Sequence, residues 1–572
     1  MRKRWTLIPA DEHLVNQLQK ALRIHPALCR VLVQRGITDY DLAYQFFRPR
    51  LDDLHNPFQM KDMDRAVARL RKALNEGEKI LLYGDYDVDG TTCVALLYEF
   101  LTGLGAHVDY YLPDRHKEGY GVSLEGVDYA RHNGVGLVIA MDCGIQAHEA
   151  IRQAAAHGID FIVCDHHLPG TELPPALAIL DPKQPACAYP FKELSGCGVV
   201  FKFVQALSSE LGLPMERCEA LLDLVVLSIA ADIVPIVGEN RILAYYGLRR
   251  LNRTDRPGLA ALIEKSGRQR PLDINDIVFG LAPMINAAGR LADARQAVQL
   301  MLATDKGVAA DYARLLHSRN ELRKNWNRTI VDEAVQMVEA SDADSQRHSI
   351  VLFNPAWHKG IVGIAASRLV ELYCRPTILL CESQGYAVGS ARSVKGFNIH
   401  QALEACADLL VSFGGHDHAA GLTLEVGAVP EFQRRFEEVV SKTIDPASLI
   451  PEVLVNSRLD LRDITLGFWR VLKQFGPFGP ENRRPVFATL HVRDTGNSRL
   501  LKGDHLRLWV RQGDGPIWQG MAFGMGAYFE TIRKKTSFHI AYNIEEDSWR
   551  DQRTLRLLIK DIYVGDRNAN EK

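Results

Sequence analysis

The sequence has few of the features that mark secreted or membrane-spanning proteins. Its ten Cys are scattered without a C-x-x-C pair, and Cys93, Cys164 and Cys381 lie within apolar runs, which indicates reduced thiols. No uninterrupted apolar segment is long enough to span a membrane. No apolar signal-peptide core follows the basic start, Met1-Arg-Lys-Arg. We therefore expect a cytoplasmic protein.

The sequence also lacks an excess of charge of either sign. Its formal net charge is −2, so a nucleic-acid partner would have to bind local basic patches. The 572 residues predict about three or four domains of roughly 150 residues each. The first of these segments, 1–60, is predicted to be a helical lead-in without recognisable chemistry.

Residues 79–92 carry the strongest local signal, Lys-Ile-Leu-Leu-Tyr-Gly-Asp-Tyr-Asp-Val-Asp-Gly-Thr-Thr. The apolar run 80–83 predicts a buried strand, and helical spacing of apolar residues predicts a helix over 91–104. Three carboxylates alternate between these elements: Asp85, Asp87 and Asp89. Because they repel one another, a bound cation is their natural compensation.

A solvated acidic turn and a calcium-binding EF-hand loop are two other interpretations of this motif. A solvated acidic turn does not fit the adjacent apolar residues Leu81 and Leu82. The calcium-binding EF-hand also reads D-x-D-x-D-G, but it needs a Glu at its twelfth position and a helix on each side. Counting from Asp85, the twelfth residue is Leu96, and a strand precedes the motif. The remaining interpretation is a metal site at the carboxyl end of a strand.

Further apolar runs also end in acids. They are 136–141 before Asp142, 160–164 before Asp165-His166-His167, and 176–180 before Asp181. Helical segments separate most of these runs, which predicts a doubly wound parallel sheet whose strand ends meet at one edge. One Asp at a strand end is more often a helix cap, but four such ends favour ligands. Asp and His without Cys suit Mn²⁺ or Mg²⁺, and so many ligands suit two ions.

These motifs resemble those of the DHH phosphoesterase superfamily, which includes family II inorganic pyrophosphatases, oligoribonucleases and the RecJ exonucleases. A further superfamily motif, at the end of a helix, is matched by Ser228-Ile-Ala-Ala-Asp232-Ile-Val-Pro. From about residue 60 onward the chain resembles the RecJ family. The additional matching segments are 283–290, 357–363, 389–393 and 414–421. Met284 stands where a basic residue is expected.

The resemblance implies roles for the acidic and histidine residues. Asp142 would bridge two metals; Asp87 would hold one ion with Asp85 beside it, and Asp89, His166 and Asp232 would hold the other. His167 would be either a ligand or an acid that contacts the scissile phosphate. The implied catalytic set is Asp85, Asp87, Asp89, Asp142, His166, His167 and Asp232. The implied metal ligands are the same residues without His167.

The resemblance also implies a fold of two α/β lobes, DHH and DHHA1, joined by a long helix and followed by an OB-type β-barrel. The expected parts are the lead-in 1–60, the DHH catalytic domain 61–305, the connecting helix 306–345, the DHHA1 substrate-binding domain 346–447 and the OB fold 448–572. Between 309 and 340 there is no Gly or Pro, so one continuous helix of about 48 Å fits, either as this connector or packed on one domain.

Several polar residues are candidates for binding substrate. By resemblance, Ser390, Arg392 and Arg115 would hold a 5′-terminal phosphate, because a guanidinium offers a bidentate fork to phosphate. His416 lies in a glycine-rich loop interpreted as a second phosphate contact, and Arg290 ends another family motif.

Short alternating runs after residue 450 predict the barrel. Its basic residues are Arg483, Arg484, Arg493, Arg499, Lys502, Arg507 and Arg511, interleaved with Phe487, Trp509 and Trp518. Either these residues form a groove that stacks bases and follows a nucleic-acid backbone, or they are a solvated face beside core aromatics.

Together the resemblance implies a metal-dependent 5′→3′ exonuclease that degrades single-stranded DNA in recombination and repair, using two Mn²⁺ or Mg²⁺ ions. The alternatives are an oligonucleotide or phosphonucleotide phosphatase of the same superfamily, or an inactive DNA-binding scaffold. Single-strand-binding protein and a helicase are the partners that the family implies, and the protein is expected to be a monomer.

Overall fold

A computed structural model describes residues 3–115, 117–291, 293–340, 347–534, 537–549 and 552–565. The chain forms two compact units. Unit I comprises residues 39–320 and 471–484, and unit II comprises residues 1–38, 321–470 and 485–572.

The elements of the first half follow one another along the chain. Up to residue 210 they are β1 (Arg4–Leu7), α1 (Glu12–Leu22), α2 (Pro26–Gln34), α3 (Tyr40–Phe47), α4 (Met63–Glu76), β2 (Ile80–Gly84), α5 (Val88–Thr102), β3 (Val108–Tyr111), α6 (Leu124–His132), β4 (Leu137–Met141), α7 (His148–Ala156), β5 (Asp160–Cys164), β6 (Ala178–Leu180) and α8 (Gly196–Glu210). Next come α9 (Glu216–Glu219), α10 (Leu222–Ala231), α11 (Gly238–Leu251), α12 (Pro257–Ser266), α13 (Ile274–Asp276), a π-helical turn (Ile277–Leu281), α14 (Ala282–Leu291), α15 (Arg295–Leu302) and α16 (Lys306–Glu339).

The second half contains most of the antiparallel strands. Its elements are β7 (Ile350–Phe353), α17 (Val362–Tyr373), β8 (Thr377–Ser383), β9 (Tyr386–Arg392), α18 (Ile399–Glu404), β10 (Ser412–Gly415), β11 (Ala419–Glu425), α19 (Val429–Thr443), β12 (Glu452–Val455), β13 (Ser457–Arg458), α20 (Leu466–Lys473), β14 (Phe487–Asp494), β15 (Arg499–Leu501), β16 (His505–Gln512), β17 (Ile517–Ala522), α21 (Phe529–Arg533), β18 (Phe538–Trp549) and β19 (Gln552–Val564). Short 3₁₀ helices occupy Leu51–Asp53, Pro57–Gln59, Ala407–Leu409, Val426–Ala428, Pro446–Leu449, Leu461–Asp463 and Gly526–Tyr528.

Unit I is built on a parallel five-stranded sheet of order β3-β2-β4-β5-β6. Alternate residues of β2 enter two different cores: Ile80 and Leu82 pack on one face, and Leu81 and Tyr83 on the other. Both faces are therefore covered, which explains why β2 reads as a continuous apolar run. The predicted doubly wound sheet is confirmed, and its carboxyl edge collects the predicted acids.

Helix α5 begins at Val88, three residues before the predicted start at Thr91. Its N-cap is Asp87, whose carboxylate accepts a hydrogen bond from the Gly90 N–H at 3.1 Å. The helix starts earlier than predicted because Asp87, a residue of the acidic motif, caps it. Asp89 therefore lies in the first helical turn and not in a loop.

Unit II contains a mixed sheet of order β10-β11-β9-β8-β7, in which only β7 and β8 pair in parallel. Apolar residues of β8, β9 and β11 form a core with α18 and α19. The predicted long helix is confirmed as α16, which spans 34 residues and runs from unit I into unit II. The predicted end of this helix, 340–345, falls largely outside the described residues.

The C-terminal strands form the predicted barrel. Strands β14, β18, β19, β17 and β16 pair in this order, and a β14–β16 pairing closes the ring. The expected helical lead-in is wrong in one respect, because it begins with strand β1. This strand pairs in parallel with β12, and the Trp5 indole N–H donates to Asp561 at 2.6 Å. In the described part of the chain, no helix has both the length and the apolar character needed to cross a membrane.

Candidate metal centre

The carboxylates of the D-x-D-x-D-G motif follow strand β2 directly. Asp85 is 3% exposed, and Gly90 packs against its backbone so closely that a Cβ atom there would lie 2.4 Å from the Asp85 carbonyl oxygen. Glycine is therefore required for the first turn of α5 to close over the end of β2. Asp87 caps this helix, and Asp89 points from its first turn into the protein interior.

Asp142 follows strand β4 in an unusual backbone conformation. Its φ is +59°, in the left-handed region that few residues other than glycine adopt. Two hydrogen bonds hold its peptide groups: Asp142 N–H donates to the Cys164 carbonyl at 2.9 Å, and the Tyr120 hydroxyl donates to the Asp142 carbonyl at 3.1 Å. Such strain is found mainly at functional sites, where surrounding contacts maintain it.

The two histidines after β5 have different environments. Asp165 accepts His167 Nδ1 at 2.7 Å and the Ile145 N–H at 3.0 Å. Burial opposes ionisation of Asp165, but these hydrogen bonds prevail and lower its pKa to about 2. Burial also opposes charge on His167, yet its bond to Asp165 raises the pKa of His167 to about 9. His167 is therefore the protonated histidine at neutral pH.

His166 has the opposite character. Burial lowers its pKa, so its imidazole is neutral, which is the form that binds metals. Its Nε2 lies 3.2 Å from Asp142, 3.6 Å from Asp232 and 3.8 Å from Asp89. Asp232 reaches this position from the C-cap of α10.

The predicted residues come together as three overlapping groups, in each of which the ligand atoms lie within 4.8 Å of one another. The groups are Asp85, Asp87 and Asp142; Asp89, His166 and Asp232; and Asp142, His166 and His167. Asp142 and His166 each belong to two groups. This is the arrangement expected of a ligand set that serves two neighbouring ions.

The residues fit divalent cations on two further observations. Among the described residues, the buried Oδ1 of Asp85 and both ring nitrogens of His166 have no hydrogen-bond partner. Burial, followed by the charge of neighbouring aspartates, raises the pKa of Asp85, Asp142 and Asp232 well above the usual range. Cations would satisfy these atoms and offset this repulsion.

The sequence did not predict which residues hold the metal ligands in place. Asp165 and Asp181 were noticed as strand-end acids, but neither belongs to a ligand group: Asp165 orients His167, and Asp181 is fully buried beside β6. Tyr120 contacts both the Asp142 backbone and His167. Ser228 and the N-terminus of α8 donate hydrogen bonds to Asp89. Ser228 lies inside a recognised motif, and this was the one available signal.

Two predicted substrate residues lie in unit I. The Arg115 guanidinium lies over the Tyr86 ring at 5.1 Å, beside the acidic motif. Arg290 is half-buried near the end of α14. Met284, on the same helix, is 1% exposed and belongs to the core, so a basic side chain would not reach solvent there.

Three predicted substrate residues lie in unit II. Arg392 donates to the Ser390 hydroxyl at 3.1 Å on strand β9. A Cβ atom at Gly363 would lie 2.9 Å from both side chains, so the first turn of α17 approaches them closely. His416 lies in the β10–β11 turn, where its exposed ring is 3.4 Å from Asp417 and its backbone N–H donates to the carbonyl of Ala419, the residue paired with Arg392.

The barrel differs in part from the predicted basic groove. Arg483 and Arg484 belong to unit I, where Arg484 pairs with Asp273 at 3.3 Å. Phe487 is fully buried, because it faces the barrel core. Four exposed arginines of the barrel instead form two cross-strand pairs. These are Arg499 opposite Arg507 and Arg493 opposite Arg511.

Three family models match the chain. The DHH family N-terminal domain covers residues 79–229, the DHHA1 domain covers 346–442 and the RecJ OB domain covers 455–561. The chain is 37% identical to the single-stranded-DNA-specific exonuclease RecJ of Bacillus subtilis, over 99% of this chain and 71% of that protein. It is 35% identical to the Escherichia coli protein of the same name, over 94% of this chain and 96% of that protein.

Solved structures agree with these matches. The crystal structure of RecJ in complex with Mn²⁺ from Thermus thermophilus superimposes with a TM-score of 0.85 at 29% identity, covering 99% of this chain and 80% of that one. The Mg²⁺ complex from the same organism gives a TM-score of 0.79 at 27% identity, covering 99% and 79%.

Proposed function

The chain belongs to the RecJ family of single-stranded-DNA-specific exonucleases, and we propose that it removes nucleotides from single-stranded DNA in the 5′→3′ direction. The observation that carries this function is the set of overlapping ligand groups joined by Asp142 and His166. This set suits a metal-dependent phosphodiesterase with Mn²⁺ or Mg²⁺ as cofactor. The complete ligand set argues against an inactive scaffold, and the match to the RecJ OB domain argues against a short phosphatase.

The chemistry divides between the cofactor and the protein. When bound, two divalent ions supply a hydroxide at neutral pH and neutralise charge on the phosphate. Asp85, Asp87 and Asp142 would hold one ion, and Asp89, His166 and Asp232, with Asp142 shared, would hold the other. Water would add its oxygen to phosphorus as the bond to the 3′ oxygen of the terminal nucleotide breaks, and we propose that His167, which is protonated in the metal-free fold, gives that oxygen its proton. The products are a nucleoside 5′-monophosphate and a strand with a new 5′-phosphate.

The 5′→3′ polarity is proposed from Ser390 and Arg392. An enzyme that works from one end must recognise that end, and a terminal phosphate carries more charge than an internal diester. Arg392 is held by Ser390, and both face the N-terminal turn of α17, whose backbone favours anions. We assign these two residues to the 5′-terminal phosphate, and we propose Arg115, Arg290 and His416 as further substrate-binding residues.

Substitution of Arg392 tests this assignment. Charge-assisted hydrogen bonds contribute roughly 1.5–3 kcal/mol, so Arg392→Ala should lower kcat/KM on 5′-phosphorylated strands about ten- to a hundred-fold. The loss on 5′-hydroxyl strands should be smaller. Product ladders from both substrates measure this preference, and Arg368→Ala, an exposed arginine on α17, is the matched control. An unchanged preference would remove Arg392 from the phosphate site, and release of nucleotides from the 3′ end would overturn the polarity.

The family also implies an oligomeric state, partner proteins and a cellular location. We propose a monomer that works with a single-strand-binding protein and a helicase in recombination and repair. The ten free cysteines fit a reducing compartment, which supports a cytoplasmic location. Pull-down with each partner and sedimentation of the purified protein would test these assignments.

A further inference from the structure

The carboxylate of the metal-ligand candidate Asp89 is buried and held by several hydrogen bonds. It is 1% exposed and accepts hydrogen bonds from two backbone N–H groups and one hydroxyl, and the weakly donating Cys93 thiol lies 3.9 Å from Oδ1. The Gly196 N–H donates to Oδ2 at 2.7 Å, while the Cys197 N–H and the Ser228 hydroxyl donate to Oδ1 at 2.8 and 2.7 Å. Two of the donors are backbone groups at the N-terminus of α8, where the helix dipole also favours a negative charge.

These hydrogen bonds leave the two carboxylate oxygens of Asp89 with different numbers of free acceptor sites. A carboxylate oxygen offers about two acceptor sites, so the Cys197 N–H and the Ser228 hydroxyl fill Oδ1, and the Cys93 thiol at 3.9 Å is only a weak further contact. Oδ2 accepts a single hydrogen bond and faces His166 Nε2 at 3.8 Å. Only Oδ2 of Asp89 therefore has a free acceptor site for an ion, and this oxygen lies on the side of His166 and Asp232.

Ser228 connects this carboxylate to a second ligand. Ser228 and Asp232 lie four residues apart on α10, so both project from the same face of the helix. The Ser228 hydroxyl is fully buried and also lies 2.6 Å from the hydroxyl of Ser195, which caps α8. Since each hydroxyl has one hydrogen, a chain in which Ser195 donates to Ser228 and Ser228 donates to Asp89 satisfies every group.

The start of α8 is also fitted against the bridging ligand. A Cβ atom at Gly196 would lie 2.9 Å from Oδ1 of Asp142. The same turn therefore limits the positions of both Asp89 and Asp142. Helices α8 and α10 together hold the ligands on this side of the centre.

We propose that Ser228 is a positioning residue of the metal centre, which occupies Oδ1 of Asp89 so that Oδ2 alone is presented to the ion held with His166 and Asp232. This inference rests on the proposed two-ion function. It predicts that loss of the Ser228 hydroxyl weakens one metal position and leaves the other unchanged. Loss of a residue that orients a ligand typically lowers metal affinity ten- to a hundred-fold.

Calorimetric titration of the metal-free full chain with Mn²⁺ tests the proposal. Wild type should bind two ions, and Ser228→Ala should weaken one of them ten- to a hundred-fold. Its cleavage rate at limiting Mn²⁺ should fall, and this loss should shrink as the Mn²⁺ concentration is raised. Ser228→Cys keeps the shape but supplies a weaker donor, so it should give an intermediate affinity even if the alanine variant folds poorly. Ser208→Ala, a buried serine elsewhere on α8, should bind Mn²⁺ as wild type does.

A double-variant comparison separates positioning from general packing. If Ser228 acts through Asp89, adding Ser228→Ala to Asp89→Asn should change Mn²⁺ affinity less than twofold. Equal weakening of both ions, wild-type affinity in Ser228→Ala, or a full additional loss in the Asp89→Asn background would overturn the proposal. Failure of wild type to bind two ions would instead reject the proposed two-ion function on which it rests.

Discussion

Among single residues, Asp142 combines a strained backbone with a shared ligand position. Asparagine tolerates its left-handed φ of +59° and leaves the bond from Tyr120 in place, so Asp142→Asn should fold normally. It should lower kcat at least a hundred-fold, because one carboxylate serves both ligand groups. Affinity for single-stranded DNA should change much less, since phosphates are also bound elsewhere. Single-turnover cleavage and filter binding measure the two effects.

The same substitution makes a second, opposite prediction for stability. Burial and neighbouring aspartates raise the pKa of Asp142, so its ionised form is unfavourable in the metal-free fold. Asp142→Asn should therefore have a higher Tm than wild type in chelator at neutral pH. A folded variant with near-wild-type turnover would remove Asp142 from the bridging position.

Asp181 provides a test of pH dependence away from the ligands. Its side chain is fully buried, and burial raises its pKa from 3.8 to about 7. The folded state thus retains a proton that the unfolded chain loses. This contribution to stability is fully present below pH 3.8 and is lost as the pH rises through about 7. At about 1.4 kcal/mol per pH unit, it amounts to at most about 4 kcal/mol.

Asp181→Asn cannot ionise, so it should avoid this loss. The Tm of the variant minus that of wild type, measured in chelator, should increase between pH 5 and pH 8. Asp128→Asn, at an exposed site on α6, is the control and should show no such trend. A difference that does not vary with pH would show that Asp181 is ionised in the fold throughout this range.

The sequence pattern identified the candidate metal ligands better than the residues that hold those ligands in position. The acids and His166 stand at strand and helix ends, which a pattern of apolar runs reveals. The groups that orient them are distant in sequence: Gly196 lies 107 residues from Asp89, and Ser228 lies 139. Only the packing of α5, α8 and α10 brings these residues into contact, so no local pattern predicts them.

Among the elements, strand β16 carries an unusual distribution of charge. Arg507 lies directly opposite Arg499 on β15, and Arg511 lies opposite Arg493 on β14. Like charges at directly opposed positions destabilise a sheet, and an anionic ligand would offset this. The half-buried Trp509 lies between the two arginines on β16, which suits stacking of a base.

The double variant Arg499→Gln, Arg507→Gln tests this surface. Its affinity for single-stranded DNA should fall. The slope of log K against log salt should become shallower by about 1.4, or about 0.7 for each lost phosphate contact. Its Tm should not fall, because repulsion is removed. Arg434→Gln, Arg435→Gln on α19 neutralises two exposed arginines that have acidic partners and should leave the slope unchanged. A wild-type slope in the barrel variant would exclude this pair from DNA binding.

The sequence predicted most elements, and the exceptions have physical causes. Helix α5 starts early because Asp87 serves as its cap, whereas the motif suggests a loop of ligands. Strand β1 has no strong pattern of its own, since it is formed by pairing with β12 about 450 residues later. Such pairing depends on the folded chain and is not visible in four residues of sequence.

The two compact units of the molecule are each built from separate stretches of the sequence. The division between the two units falls at residues 320 and 321, inside α16 and not at its ends. Residues 471–484 return to unit I, where Phe475 packs against Phe46 and Phe47 at ring distances of 5.6 and 5.3 Å. These contacts join residues more than 400 positions apart, so composition alone could not place them.

The function assigned to this chain is metal-dependent exonuclease activity specific for single-stranded DNA. The most direct test is digestion of end-labelled single-stranded and blunt duplex oligonucleotides by the purified full chain with Mn²⁺, with Mg²⁺ or with chelator. We predict stepwise release of mononucleotides from single strands with either metal, little release from the duplex and none in chelator. Undiminished hydrolysis in chelator, or equal degradation of blunt duplex without a helicase, would contradict the account.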